Sequence, residues 1–333
     1  MNTRPALRPQ STRLLSYCRK VLVLRSSPLR TACLPAAILL TFAVPATNVS
    51  AQVDNHLRLQ IVAIAAQAHG KVSVACALPE TSSGSALNCN LHPTARPPMQ
   101  SVFKLPLALT VLHEVEQGKL ALDQPIRFLP SDRILPHAYS PLQDRHPDAN
   151  VDVPLRELLR LSVSVSDNAA ADILLRVAGG PVAVNQYLRS LGVAGFHLQD
   201  NENTLHHNMA AQYRNWFEPA GAVQLLRRIA DNSPLSPLHT HLLLQWMQPT
   251  GLPARLQADL PHGTLVAHKS GTSDVDNGIA HATNDIGLIT LPGGRQLAIA
   301  VFITDSTADQ RIREKVIAQI ARAVFNACLQ GHN

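Results

Sequence analysis

A serine hydroxyl and a lysine amine three residues apart, Ser101 and Lys104, are the first pair in this chain with the means for covalent chemistry. On a helix, residues three apart share a face, so the two groups would sit side by side. A serine hydroxyl is a poor nucleophile at neutral pH and needs a neighbouring base to take its proton. Burial and nearby cations depress a lysine pKa, which lets the neutral amine act as such a base. The spacing alone arises by chance on the order of once per protein. Its weight depends on what accompanies it.

The surrounding elements can position this pair. Residues 53–69 carry apolar positions at helical spacing, with Gly70 as a stop signal, and strands are expected at about 71–78 and 85–92. A Pro-rich linker, Pro93 to Pro98, leads into the Ser101 helix and the apolar run Leu105 to Val111. Pro106 cannot donate to the Val102 carbonyl, which predicts a kink or a tighter first turn. Residues 119–150 read as loop, and helical patterns resume at 153–160, 169–178, 181–191, 218–231 and 236–247. From Gly263 the texture changes to strands at 265–268, 283–289 and 297–303, followed by an amphipathic helix over about 309–329. The expected fold class is α/β (α+β). An antiparallel sheet built from both ends of the chain (52–100 and 261–333) is flanked by the terminal helices, and an all-helical lobe is inserted at 101–260.

Charge and cysteine usage restrict the setting. Of 29 basic residues seven stand in 1–51, which holds no Asp or Glu, leaving 22 against 23 acidic residues in the remainder. A near-neutral mature chain removes the electrostatic support for a nucleic-acid partner. The basic segment runs into an apolar stretch, Ala32 to Val44, and a small-residue site at Val49-Ser50-Ala51, the order of an export signal. Removal of 1–51 would leave one domain over 52–333, periplasmic and free of the membrane, expected to be a monomer. Cys76 and Cys89 flank a turn and oppose each other if the hairpin is symmetric about Ser82-Ser83, a geometry compatible with a disulfide. Two free buried cysteines are the other reading. His206-His207 lacks the ligand cluster of a zinc site, so no metal and no cofactor are expected.

Two further motifs follow the Ser101 pair. Ser166-Asp167-Asn168 stands where a loop enters a helix, and Lys269-Ser270-Gly271-Thr272 ends a strand. Ser-x-x-Lys, Ser-Asp-Asn and Lys-Thr-Gly in this order are a known set of serine β-lactamases and penicillin-binding proteins. Over nearly all its mature length the chain resembles a class A β-lactamase, most of all the PER and VEB branch. That likeness is carried by 99–105, 268–273, 282–287, Asn201-Glu202 and 212–216, and Tyr139-Ser140-Pro141 is similar to the family's aromatic gate.

The resemblance implies roles. Ser101 would attack the lactam carbonyl, its own N–H and that of Thr272 forming the oxyanion hole beside Gly271. Lys104 would deprotonate Ser101, directly or through Glu202 and a water. Ser166 would protonate the leaving nitrogen, and Asn168 would bind the substrate amide and help hold Lys104. Lys269 and the Ser270 hydroxyl would bind the substrate carboxylate. Glu202 would hold the deacylating water, which His206 could share. Ser270 replaces the Thr of the usual motif. Asp200 and Asn215 stand where many relatives place an Arg–Asp ion pair that closes the Glu202 loop, so that loop must be held differently. No second cation for the carboxylate can be placed. A D-alanyl-D-alanine peptidase and a non-hydrolysing penicillin sensor share the Ser/Lys core and are the competing functions.

Overall fold

A helix, α1 (Thr47–Ala65), opens the part of the chain that the computed structural model describes, residues 47–79, 88–249, 251 and 254–330. The export segment expected at 1–51 lies outside those residues except for 47–51, which begin α1. Strand β1 (Lys71–Ala77) follows. The helical insertion then starts with α2 (Lys104–Glu116) and continues through α3 (Pro141–Arg145), α4 (Leu155–Ser164), α5 (Asn168–Val177), α6 (Gly180–Ser190), α7 (Glu202–His207), α8 (Pro219–Asp231) and α9 (Pro237–Trp246). Its rim carries two short ribbons, β2 (Pro125–Phe128) with β3 (Val151–Pro154) and β4 (Phe196–His197) with β5 (Trp216–Phe217). The chain then returns as β6 (Val266–Thr272), a small hairpin of β7 (Val275–Asp276) and β8 (Ile279–Ala280), β9 (Thr283–Thr290), β10 (Gln296–Thr304) and α10 (Gln310–Gln330).

The main sheet has the order β1-β10-β9-β6 and is antiparallel throughout. Both its faces are covered, which is why β10 reads as an unbroken apolar run, Leu297 to Ile303. Ala298, Ala300 and Phe302 pack toward the helical lobe. Ile299, Val301 and Ile303 pack toward α1 and α10, which present Leu57, Ile61 and Val316, Ile320, Val324 at helical spacing.

The structure reduces the second strand expected at 85–92. Among its described residues only Leu91 pairs, with Val74, by two hydrogen bonds of 2.7 and 3.0 Å. That pairing keeps the register that sets Cys76 opposite Cys89, and the two are joined in a disulfide with Cα atoms 6.0 Å apart. The turn between the strands falls on residues outside the description. The rim ribbons occupy stretches without a hydrophobic period long enough to declare a strand. Among the described residues no helix is long and apolar enough to cross a membrane.

Candidate active site

The tightened turn expected ahead of Pro106 is present. Gln100–Phe103 forms a 3-10 turn that passes directly into α2. Residues three apart eclipse in such a turn, which aligns Ser101 with Lys104. The turn is held from both sides. Met99 N–H donates to Asn215 O at 3.0 Å, and Asn284 Nδ2 of β9 donates to Pro98 O at 2.8 Å. Gln100 sits at a left-handed φ of 48° and donates through its side chain to Gln212 Oε1 at 2.7 Å.

Lys104 is fully enclosed and acts as a hub. Its Nζ donates to Asn168 Oδ1 at 2.5 Å, Ser166 O at 2.7 Å and Ser166 Oγ at 3.3 Å, and pairs with Glu202 Oε1 at 2.9 Å. Glu202 is 2 % exposed and accepts a hydrogen bond from Ser101 Oγ at 3.3 Å. The Ser101 hydroxyl proton therefore points to a carboxylate, and that carboxylate is held by the lysine.

Ser166 occupies the bend between α4 and α5 at φ 61°, a conformation costly for a side-chain-bearing residue and held here by its surroundings. Asp167 supplies that support. Its carboxylate caps α5 through Ala170 N–H at 2.9 Å, and takes Ser140 Oγ at 2.8 Å and Leu142 N–H at 2.6 Å. Asn168 N–H donates to Tyr139 O at 3.2 Å, so the exposed aromatic ring at the entrance is tied to the same bend. Lys269 Nζ reaches Ser166 Oγ from the sheet side at 3.0 Å. Burial, and then the charge of Lys104, pull the Lys269 pKa down to about 7.

Asn168 and Asp172 lie four apart and share one face of α5. The first holds Lys104. The second accepts from Glu202 N–H at 2.8 Å and Asn203 N–H at 3.0 Å, fixing the start of α7. Burial and the nearby Glu202 charge raise the Asp172 pKa to about 7. Its helical spacing from Asn168 was visible in the sequence; its target was not.

The Glu202 loop is closed without the usual ion pair. Asn215 Oδ1 accepts from Gln199 N–H and Asp200 N–H at 2.8 and 2.9 Å, and its Nδ2 donates to Asp200 O at 2.8 Å. Asp200 pairs instead with Arg214 through two contacts of 2.8 and 2.9 Å. Asn215→Ala removes three buried hydrogen bonds, about 1 kcal/mol each. A thermal melt should drop by several degrees, and kcat should fall as Glu202 loses its seat; an unchanged melt would show that the Arg214 pair suffices.

Strand β6 passes close to Ser101. A side chain at Gly271 would lie 2.5 Å from Met99 O and 3.2 Å from Ser101 N, so only glycine permits this approach. A second cation beside β6, not placed from the sequence, is Arg255. It is buried beneath β6, with Nη2 donating to Thr272 Oγ1 at 2.6 Å and Nη1 to Gly271 O and Asn284 O at 3.2 and 2.8 Å. Its place depends on packing across 16 residues of chain, which no local signal reveals. His206 turns Nδ1 to the Glu202 carbonyl at 2.8 Å. A carbonyl only accepts, so Nδ1 carries the proton and a neutral ring keeps Nε2 as an acceptor.

A cavity of about 310 Å³ gathers Ser101, Tyr139, Ser166, Asn168, His206, Ser270 and Thr272. Lys269 lines an adjoining one of about 330 Å³ with Tyr139, Ser166 and Ser270. A larger cavity, about 690 Å³, lies between α1, β1 and the 91–98 loop and contains none of these groups. Among the described residues no cluster of His, Cys, Asp or Glu could hold a metal ion. The assembled groups can activate a hydroxyl, stabilise an oxyanion and bind a carboxylate.

Known proteins share this pattern. The family model described as the beta-lactamase enzyme family matches residues 56–328. The extended-spectrum beta-lactamase PER-1 of Pseudomonas aeruginosa is 41% identical over 236 residues, 71% of this chain and 76% of that protein. Beta-lactamase VEB-1 of the same organism is 36% identical over 280 residues, 83% of this chain and 91% of its own length. The crystal structure of a beta-lactamase from Chitinophaga pinensis superposes with a TM-score of 0.77 at 41% identity, covering 82% of this chain and 100% of that one.

Proposed function

The chain belongs to the beta-lactamase enzyme family, as a class A serine hydrolase that opens β-lactam antibiotics and so confers resistance, and we propose that it works through a Ser101 acyl-enzyme. The observation that carries this mechanism is the buried Lys104 hub, which holds Asn168, Ser166 and Glu202 at 2.5 to 2.9 Å.

In acylation Ser101 Oγ attacks the lactam carbonyl carbon while its proton passes to Glu202, the partner of its hydrogen bond. The N–H groups of Ser101 and Thr272 receive the charge that develops on the carbonyl oxygen. When the C–N bond breaks, Ser166 gives its proton to the ring nitrogen and is reprotonated by Lys104, which takes in exchange the proton held by Glu202 and so leaves Glu202 a carboxylate again. Both lysines donate to Ser166 Oγ, so the hydroxyl's own hydrogen is free for that acceptor. In deacylation Glu202, a carboxylate again, takes a proton from the attacking water, which His206 Nε2 can also hold, and passes it to Ser101 Oγ as the acyl C–O bond breaks. Lys269 and the Ser270 hydroxyl bind the substrate carboxylate, with Arg255 adding positive charge from beneath Thr272. Asn168 meets the side-chain amide.

The same reading takes 52–333 as one catalytic domain, monomeric and exported to the periplasm by removal of 1–51; the acid-free basic segment and the apolar stretch after it support this. The test is a time course of a chromogenic cephalosporin in large excess over purified protein starting at Gln52. Linear hydrolysis over many equivalents is expected. One equivalent followed by a plateau would mark an acylated target or sensor and remove Glu202 from its role.

A further inference from the structure

Behind the strand that carries Lys269, two side chains form a couple that the mechanism above leaves unused. His268 precedes Lys269 on β6, and Asp285 lies on β9 opposite Ser270. Successive strand residues point to opposite faces, so both lie on the face opposite the Lys269 side chain, toward α10 and the Arg255 turn, with Ser270 beside them and His268 at the edge of the Lys269 cavity. Asp285 is fully buried. The imidazole Nδ1 stands 2.8 Å from each of its oxygens, and Leu256 N–H donates to Oδ2 at 3.3 Å. Gly287 faces His268 across the ladder, where a side chain would come within 2.7 Å of the His268 Cβ. Its bareness gives the imidazole room to lie across the strands.

The charges around this couple are unbalanced. On its own side stand Arg255 from the turn before Leu256, and Arg313 and Glu314 from α10; Arg313 bonds to Thr283 Oγ1, and Glu314 lies 3.4 Å from Arg255. On the cleft side stand Lys104, Lys269 and Glu202. Among the groups that act on Lys269, three cations (Lys269 itself, Lys104 and Arg255) face two anions, Asp285 and Glu202. Asp285 is the first of the charges that oppose loss of the Lys269 proton, ahead of Glu202.

We propose that the His268–Asp285 couple is a positioning device for carboxylate recognition, supplying through the sheet the negative charge that Lys269 and Arg255 need to present cations to the substrate. The proposal rests on the class A mechanism above. A buried carboxylate is tolerated only when hydrogen-bonded, and His268 provides its side-chain donor. Asp285 touches no substrate; it acts through its neighbours.

The test is steady-state hydrolysis of one chromogenic cephalosporin from acid to about pH 9, by the wild-type chain from Gln52 and by Asp285→Asn, His268→Ala and His268→Gln. Asp285→Asn is expected to raise KM about tenfold with kcat changed by less than about twofold. It should also move the alkaline limb of kcat/KM, which reports the free enzyme, about one unit toward lower pH. His268→Ala should act in the same direction, about threefold in KM, and His268→Gln, which keeps an N–H donor, should restore the wild-type profile. A couple that only braces the fold would lower melting temperature and kcat together and leave the limb in place. That outcome, or a glutamine variant no better than alanine, overturns the proposal. If Asp285→Asn fails to fold, the His268 variants decide, since that side chain is 15% exposed at the rim. Failure of the wild-type chain to turn over would instead sink the mechanism on which the proposal is built.

Discussion

Glu202→Gln is expected to convert the enzyme into a trap that takes up one equivalent of β-lactam and holds it. Acylation keeps a possible base in Lys104, whose remaining acceptors Ser166 and Asn168 hold it in place. Deacylation has no such substitute. Its water must lose a proton beside the acyl carbonyl, and glutamine cannot take that proton. General-base catalysis contributes about 10²- to 10⁴-fold, so steady turnover should fall by that factor. Intact-mass spectrometry after brief exposure should show nearly all of the protein carrying one ring-opened substrate. Wild-type turnover in this variant would place the deacylating base elsewhere.

Ser101→Ala should give the complementary result, with no adduct at any time and hydrolysis reduced on the order of 10⁴-fold or more. The fold should survive, because the hydroxyl makes one 3.3 Å hydrogen bond worth about 1 kcal/mol. The carboxylate site is untouched, so the variant should still bind substrate reversibly, as titration with an unreacted cephalosporin would show. A mass adduct on this variant would mean that another side chain is the nucleophile.

The two variants separate roles that were legible to different degrees in the sequence. Ser101, Lys104, Ser166, Asn168 and Lys269 stood out because each sits in a short motif on one local element (a single 3-10 turn, a helix start, the end of a strand), and their roles came from the family resemblance those motifs carry. The terminal helices and the sheet strands could be read because burial leaves a long apolar period. Arg255, Asp172 and Asn215 could not. Each acts on backbone groups or strands brought beside it only by tertiary packing, and a lone Arg, Asp or Asn carries no periodic signal. The exchange that closes the Glu202 loop shows the limit well. The sequence revealed that Asp200 and Asn215 could not form the expected ion pair. Only the fold revealed that Asn215 bonds the loop backbone while Arg214, the residue before it, takes Asp200. The short helices α3 and α7 were missed for a related reason, being held by caps and side-chain bonds too brief to leave a period.

The pairing of β1 with β10 has a consequence for how this enzyme comes into being. The Lys71–Asp305 ion pair at the end of that ladder joins residues 234 positions apart. Closing so long a loop costs entropy before any contact repays it, which slows folding. The local Cys76–Cys89 link, spanning 13 residues, restrains the waiting segment by a loop-closure contribution of about 3 kcal/mol. Strands β6, β9 and β10 are also the last to emerge during synthesis, and β6 carries Lys269, Ser270 and Thr272. The nucleophile turn is made early, yet its carboxylate site and second oxyanion donor arrive with the strands that close the sheet. Catalytic competence and completion of the sheet are therefore the same late event, and a chain arrested before it would hold Ser101 without the strand that makes it reactive.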